Sequence, residues 1–267
     1  GLDDFEKNYT TVEDLTTIYT YAYQNETFRK IIKAKDYNTS SDKKSYYFKN
    51  AFANGKLSID AVPSTISSIP GLMNKSIISS NYALNEVNGL PKILKENGYE
   101  TSFFHGAFNG SQNFDKYANV AGFDTYYGKD EYIGPKSFDG KWGVFDEDFM
   151  QFFAKEINNF KQPFFTTLFT VSSHAPFTIP EKYKNKFPKG TTEIHESIAY
   201  TDFALKEFFK TAEKMPWYEN TIFVITSDHT SSTGEELQYK NNVGKFRIPI
   251  LFYVPNDESM IAVDEKN

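Results

Sequence analysis

The 267-residue chain contains no cysteine, which excludes disulfides, zinc ribbons and thiol nucleophiles. Export stays open, because a chain with 39% hydrophobic and 17% aromatic content can bury one substantial core without covalent staples. No Lys/Arg run exceeds two residues and the formal net charge is −6, so no electrostatic footprint for nucleic acid is present. No apolar run approaches about 18 residues and no signal-peptide core is visible. A leading Gly1 suggests a trimmed chain, and membrane proximity is expected through a segment absent from it. Tryptophan is scarce, with two residues, whereas 26 Phe and 18 Tyr are spread along the chain and read mainly as core filling.

From about residue 46 the chain alternates strand-like and helix-like stretches at intervals typical of βα units. Strands are expected at Tyr46 to Phe52, Thr101 to His105, Phe164 to Val171, Ile222 to Ser227 and Ile248 to Val254. Helices are expected at Asn88 to Asn97, Asp146 to Phe160 and Thr192 to Lys214, the last two from an acidic first turn and a closing Pro216. This pattern predicts an α/β fold with a doubly wound, mostly parallel sheet flanked by helices. Residues 1–44 read as an N-terminal helical arm and a polar linker, and residues 45–267 as the catalytic domain.

Asp228-His229 ends the apolar run Thr221 to Ser227, so a strand delivers an acid and an imidazole at its carboxyl end, where open α/β sheets place their chemistry. Adjacent residues on an extended chain face opposite ways, so a divalent metal would use both only if the chain turns; an ordinary polar turn is the alternative. Ser58 follows Asn54-Gly55-Lys56-Leu57 and opens a helix-compatible stretch, Ser58 to Ser68. There it could serve as a nucleophile and metal ligand at a helix N-terminus, or simply as an N-cap. Asp60 reads as an acidic first-turn residue.

His105 and His174 also sit just after strand-like runs, and if their strands neighbour that of His229 the three histidines converge with Ser58 on a site suited to a phosphate or sulfate ester. His195 reads as a solvated helix residue. Asn109 to Asp115 is a polar loop that lines a pocket or caps a helix from Phe114. Trp142, beside Lys141, either packs in the core or covers a head group.

Taken in order, NGKLSIDAVPSTISSIPGLM, FFHGAFNGSQNFDKYANVAGFDTYYG, WGVFDEDF, LFTVSSHAPFTIPEKY and FVITSDHT resemble the alkaline phosphatase superfamily. The likeness covers residues 46 to 255 and is to the sulfatase-like branch with lipoteichoic acid synthases and phosphoethanolamine transferases. It implies Ser58 as metal-bound nucleophile, Asp228 and His229 as further ligands of one divalent ion (Mn, Zn or Mg), and His105 and His174 as substrate-binding histidines. It also implies transfer or hydrolysis of a phospholipid head group, phosphoglycerol or phosphoethanolamine, through a phospho-Ser intermediate. The donor would be a phospholipid and the acceptor an envelope glycan or lipid, at the periplasmic or extracellular face of a bacterial inner membrane.

One position departs from that pattern. The family's first metal ligand is a Glu ending an opening strand of the form Val-Ile-Ile-Leu-Glu-Ser, and no such strand is visible here; Glu26 resembles it superficially but lies in the helix-like arm. Two alternatives follow: a sulfatase-like ester hydrolase, disfavoured because Ser58 lacks the Ser-x-Pro-x-Arg context of formylglycine, and a non-catalytic domain binding glycans or lipid head groups.

Overall fold

The computed structural model describes residues 45–231 and 237–255, so the expected helical arm, its linker and Glu26 lie outside the described residues. Described residues divide into two compact units, one of 45–51, 220–226 and 249–255, the other of 52–219, 227–231 and 237–248.

In the larger unit the elements run α1 (Ser58–Ser67), α2 (Leu90–Glu96), β2 (Glu100–His105), α3 (Phe114–Ala121), β3 (Thr125–Tyr127), α4 (Asp146–Glu156), β4 (Phe164–Phe169) and α5 (Ile194–Ala212). β1 (Ser45–Phe52) precedes them, and β5 (Phe223–Thr226) and β6 (Arg247–Tyr253) follow. β2 is central in the order β3-β2-β4 and parallel to both neighbours, with Phe103 opposite Tyr126 on one side and Thr167 on the other. Helices α3 and α4 supply the crossovers that parallel pairing requires.

Consecutive residues of a strand face opposite ways, and Phe103 and Phe104 use both faces of β2. Phe103 joins Val62 and Ile66 of α1 and Phe114, Tyr117 and Ala118 of α3 in one buried cluster. Phe104 stacks on Tyr127 at 4.3 Å between ring centroids and meets Phe149, Phe152 and Phe153 of α4 edge-on. Helices therefore cover the parallel sheet on both faces, as the alternating pattern predicts, and aromatic rings fill both interfaces. Gly122 closes α3 at φ 100°, and a Cβ there would lie 2.6 Å from Lys92 Cβ. That turn therefore requires glycine twice over.

Three details differ from the sequence reading. β3 is only three residues long and carries too little pattern to be seen beforehand. α4 stops at Glu156 and tightens into a 3₁₀ turn over Ile157–Asn159 instead of running to Phe160. β5 pairs antiparallel with β6 in a separate three-strand order, β1-β6-β5, where the sequence reading expected one mostly parallel sheet. As an outer strand of that order it leaves Val224 55% exposed, although its sequence is apolar throughout.

Candidate active site

α1 begins at Ser58 itself. Leu57 occupies the N-cap position in an extended conformation, and its carbonyl accepts the N–H groups of Asp60 and Ala61 at 2.9 and 3.1 Å. Leu57 has no side chain that could cap the helix, so the first-turn donors lack a capping group. Ser58 is therefore not the N-cap, and its hydroxyl points elsewhere: Oγ donates to Asp228 Oδ2 at 2.5 Å. Gly55 makes this approach possible, since a Cβ there would fall 2.3 Å from Asp60 Cβ, inside the first turn of α1.

Asp228 and His229 are both about seven-tenths buried, and the chain turns at them so that both serve the same spot. His229 Nε2 lies 3.4 Å from the same Oδ2 that accepts from Ser58, while Asp228 Oδ1 accepts the His229 backbone N–H at 2.9 Å. His229 Nδ1 faces the carbonyl of Thr230 at 3.0 Å. A carbonyl only accepts, so Nδ1 carries a proton, and Nε2 is the nitrogen turned toward Asp228. A serine oxygen, a carboxylate and an imidazole nitrogen thus converge at the positive end of a helix. That donor set is the kind hard and borderline divalent ions use. Among the described residues no group of three or more His, Cys, Asp or Glu side chains assembles around this spot.

The other two sequence-singled histidines belong to different surroundings. His105 ends β2, is 5% exposed, stacks on Phe169 at 4.9 Å and meets Phe114 edge-on. Burial depresses its pKa to about 4, against a raising hydrogen bond between Nδ1 and Phe169 O at 3.0 Å. It is consequently neutral at pH 7, with Nδ1 protonated toward the carbonyl. His174 is exposed, with Nδ1 3.0 Å from Ala175 O. All three rings are thus held by a backbone carbonyl in the same tautomer. Among the described residues no hydrogen bond or ring contact joins the Ser58–Asp228–His229 group to His105 or His174.

His174 has a partner that the sequence reading left open. Trp142 is half-buried rather than in the core, its ring centroid is 4.3 Å from that of His174, and its Nε1 donates to Ala175 O at 2.8 Å. Two carboxylates build this arrangement. Asp139 Oδ1 accepts the N–H groups of Lys141, Trp142 and Gly143 at 2.9, 2.7 and 3.0 Å, which fixes the Trp142 loop. Gly143 and Val144 lie against the end of β2, where Val144 N donates to Gly106 O at 2.9 Å.

Asp146, 2% exposed, accepts the N–H groups of Val171 and Ser172 at 2.9 and 3.2 Å and the Thr201 hydroxyl at 2.8 Å, holding the loop that carries His174. Burial raises the Asp146 pKa, and those donors oppose the rise. In sequence Asp146 is one of three acids opening α4 and nothing separates it from Glu147 and Asp148. Asp139-Gly140 is a turn signal that could have been read. Asn109 does not cap α3; its amide donates to both carboxylate oxygens of Glu131 at 3.0 Å. His195 is exposed near the start of α5, as expected, and its Nδ1 accepts the Thr191 N–H at 3.1 Å.

The family described as Sulfatase matches residues 7–266, beginning inside the segment read as a helical arm. Lipoteichoic acid synthase 1 of Bacillus subtilis is 28% identical over 230 residues, a region covering 78% of this chain and 36% of that protein. The chain thus spans little more than a third of the length of that relative. A solved protein of the alkaline phosphatase superfamily from Vibrio parahaemolyticus superposes with TM-score 0.69 at 26% identity, covering 79% of this chain and 52% of the other. The C-terminal periplasmic domain of EcEptC from Escherichia coli, solved in complex with Zn, shares the fold at TM-score 0.57 and 14% identity, covering 83% and 65%. The chain belongs to the sulfatase family and has the alkaline phosphatase-like α/β fold.

Proposed function

We propose that this chain is the catalytic domain of a metal-dependent enzyme that transfers or hydrolyses a phospholipid head group, phosphoglycerol or phosphoethanolamine, in the bacterial cell envelope. The observation that carries the reading is the 2.5 Å hydrogen bond from Ser58 Oγ to Asp228 Oδ2 at the N-terminus of α1. Likeness to a lipoteichoic acid synthase supports the substrate class, and the zinc complex of a periplasmic domain with this fold supports the metal and the location.

Ser58 Oγ, Asp228 and His229 Nε2 would hold the ion, which when bound lowers the pKa of a ligated hydroxyl and neutralises phosphoryl charge. Asp228 receives the Ser58 hydroxyl hydrogen bond and so stands ready to take its proton. Ser58 Oγ then bonds to phosphorus while the bond from phosphorus to the leaving alcohol breaks, giving a phospho-Ser58 ester. An acceptor hydroxyl, or water, attacks the same phosphorus, expels Ser58 Oγ and returns the enzyme. Uncapped N–H groups at the start of α1 favour the anionic phosphoryl group throughout. His105 and His174 are read as substrate-binding, and of the two only His174 stands exposed, with Trp142 beside it to cover a head group.

The test is Ser58→Ala assayed on a chromogenic phosphodiester with added Mn²⁺, Mg²⁺ or Zn²⁺. Loss of turnover is expected, and undiminished turnover would remove Ser58 from the chemistry. One observation favours a second, non-catalytic reading: the described residues bring only Asp228 and His229 together as charged or imidazole ligands. Metal analysis of the purified chain separates the two, because a stoichiometric ion lost in Asp228→Asn and His229→Ala variants counts against mere binding.

A further inference from the structure

Three chain segments meet beside Ser58, and each sets an exposed apolar side chain next to a lysine. Lys56 and Leu57 immediately precede Ser58. Leu72, Met73 and Lys75 lie on a segment pinned at both ends against the start of α1: Gly71 N donates to Asn54 O at 2.9 Å and Ser76 Oγ to Ile59 O at 2.7 Å. Val243 and Lys245 lead into Phe246 and Arg247. Ala53 N donates to Phe246 O at 2.7 Å, and Thr230 Oγ1 donates to Arg247 O at 2.7 Å, which ties this third segment to both sides of the site. Lys56 and Lys245 Nζ lie 5.5 and 5.7 Å from the Phe246 ring centroid.

The apolar side chains of these segments are turned to solvent: Leu57 is 59%, Leu72 84%, Met73 47% and Val243 62% exposed. Single exposed leucines are ordinary on a protein surface, but four exposed apolar side chains on hydrogen-bonded neighbouring segments form a patch. Its charge is the second observation. Within 53–57, 71–76 and 243–247 there are four basic residues, Lys56, Lys75, Lys245 and Arg247, and no acid, in a chain whose net charge is −6. Among the described residues, two carboxylates beside these segments are turned inward, Asp228 toward Ser58 and Asp60 under Gly55 and Gly71. Apolar tips ringed by lysines are the chemistry that recognises a bilayer interface bearing anionic head groups.

We propose that this rim is a membrane-docking surface, seating Ser58 against the head groups of an anionic phospholipid bilayer. It rests on the reading of Ser58 as the group that attacks a lipid head group, and it adds the surface by which that hydroxyl meets its substrate. Leu57, Leu72, Met73 and Val243 enter the boundary between head groups and acyl chains, while the lysines pair with lipid phosphates.

The experiment is co-sedimentation of the whole chain with vesicles of pure phosphatidylcholine or of phosphatidylcholine with one-third phosphatidylglycerol, at low and high salt. Binding is expected only to the anionic vesicles. It should fall at least about tenfold in Leu72→Glu/Met73→Glu, and about fivefold per lysine in Lys56→Gln and Lys75→Gln, with a shallower salt dependence. Ser58→Ala should bind as the parent does. Each rim variant, but not Ser58→Ala, is also assayed on a soluble chromogenic phosphodiester. Retained turnover there with lost vesicle binding supports the docking surface, and shows that the variant is folded. Equal binding to both vesicle types, binding unchanged in Leu72→Glu/Met73→Glu, or a self-association abolished by that variant would overturn the proposal. None of these outcomes bears on Ser58 as nucleophile, which the soluble substrate tests alone.

Discussion

His105 and His229 look alike in sequence and in their hydrogen bonds, and behave as opposites. Each follows an apolar strand, and each directs Nδ1 to a main-chain carbonyl at 3.0 Å. His105 then faces Phe114 and Phe169 at 5% exposure, whereas His229 faces the carboxylate that receives the Ser58 hydroxyl. The same strand-then-histidine pattern therefore yields an imidazole kept neutral by apolar rings and one set beside a carboxylate and a serine hydroxyl. What separates them is the company that tertiary structure brings: the carbonyl holding His105 belongs to Phe169 on the neighbouring strand β4, whereas the one holding His229 belongs to the next residue, Thr230.

The sharpest way to break that comparison is to remove each ring. His229→Ala is expected to lower phosphodiester turnover by about 10³-fold and to release bound metal, with little change in melting temperature. His105→Ala should do the reverse in kind, costing about 2–4 kcal/mol of stability from a collapsed aromatic pocket, read by chemical denaturation. Asp146→Ala probes the scaffold under His174: it strands the N–H groups of Val171 and Ser172, and an expected loss of about 2–4 kcal/mol should come with weakened substrate binding.

Titration sharpens the contrast further. The unfolded imidazole of His105 protonates near pH 6.5 and the folded one only near 4, so between those values the unfolded state binds the extra proton. Stability should therefore fall as pH drops from about 6.5 to 4, by about 3 kcal/mol, and His105→Asn should flatten that part of the profile. The smallest expected effect is that of Trp142→Phe, which keeps the ring beside His174 but loses the bond to Ala175 O. A severalfold rise in KM with nearly unchanged kcat would mark Trp142 as a positioning residue.

Periodicity carried the fold because β2, β4, β6 and the helices α4 and α5 have long, regular patterns with clear stops. Expected and observed bounds differ there by a few residues, most at α4, where Ile157–Asn159 form a 3₁₀ turn. β3, three residues long, has no pattern to read. At the site, the Ser58–Asp228 contact spans 170 residues and was legible only through the order of segments that resemble the superfamily. Asp146 was not legible as a loop anchor, because a buried carboxylate satisfied by backbone N–H groups has the same sequence appearance as a solvated one. The outward apolar residues near Ser58 were hidden for the converse reason, since nothing in the sequence marks Leu72 and Leu57 as exposed.

The chain's two tryptophans lie in unlike places. Trp217 is 2% exposed, packed edge-on to Phe164 at 6.1 Å, while Trp142 touches the His174 ring. Indole emission follows the surroundings of the ring, so the molecule carries its own optical gauge. Trp217 supplies a steady signal from the core, and Trp142 reports on changes at the surface it shares with the His174 ring, without any label being attached.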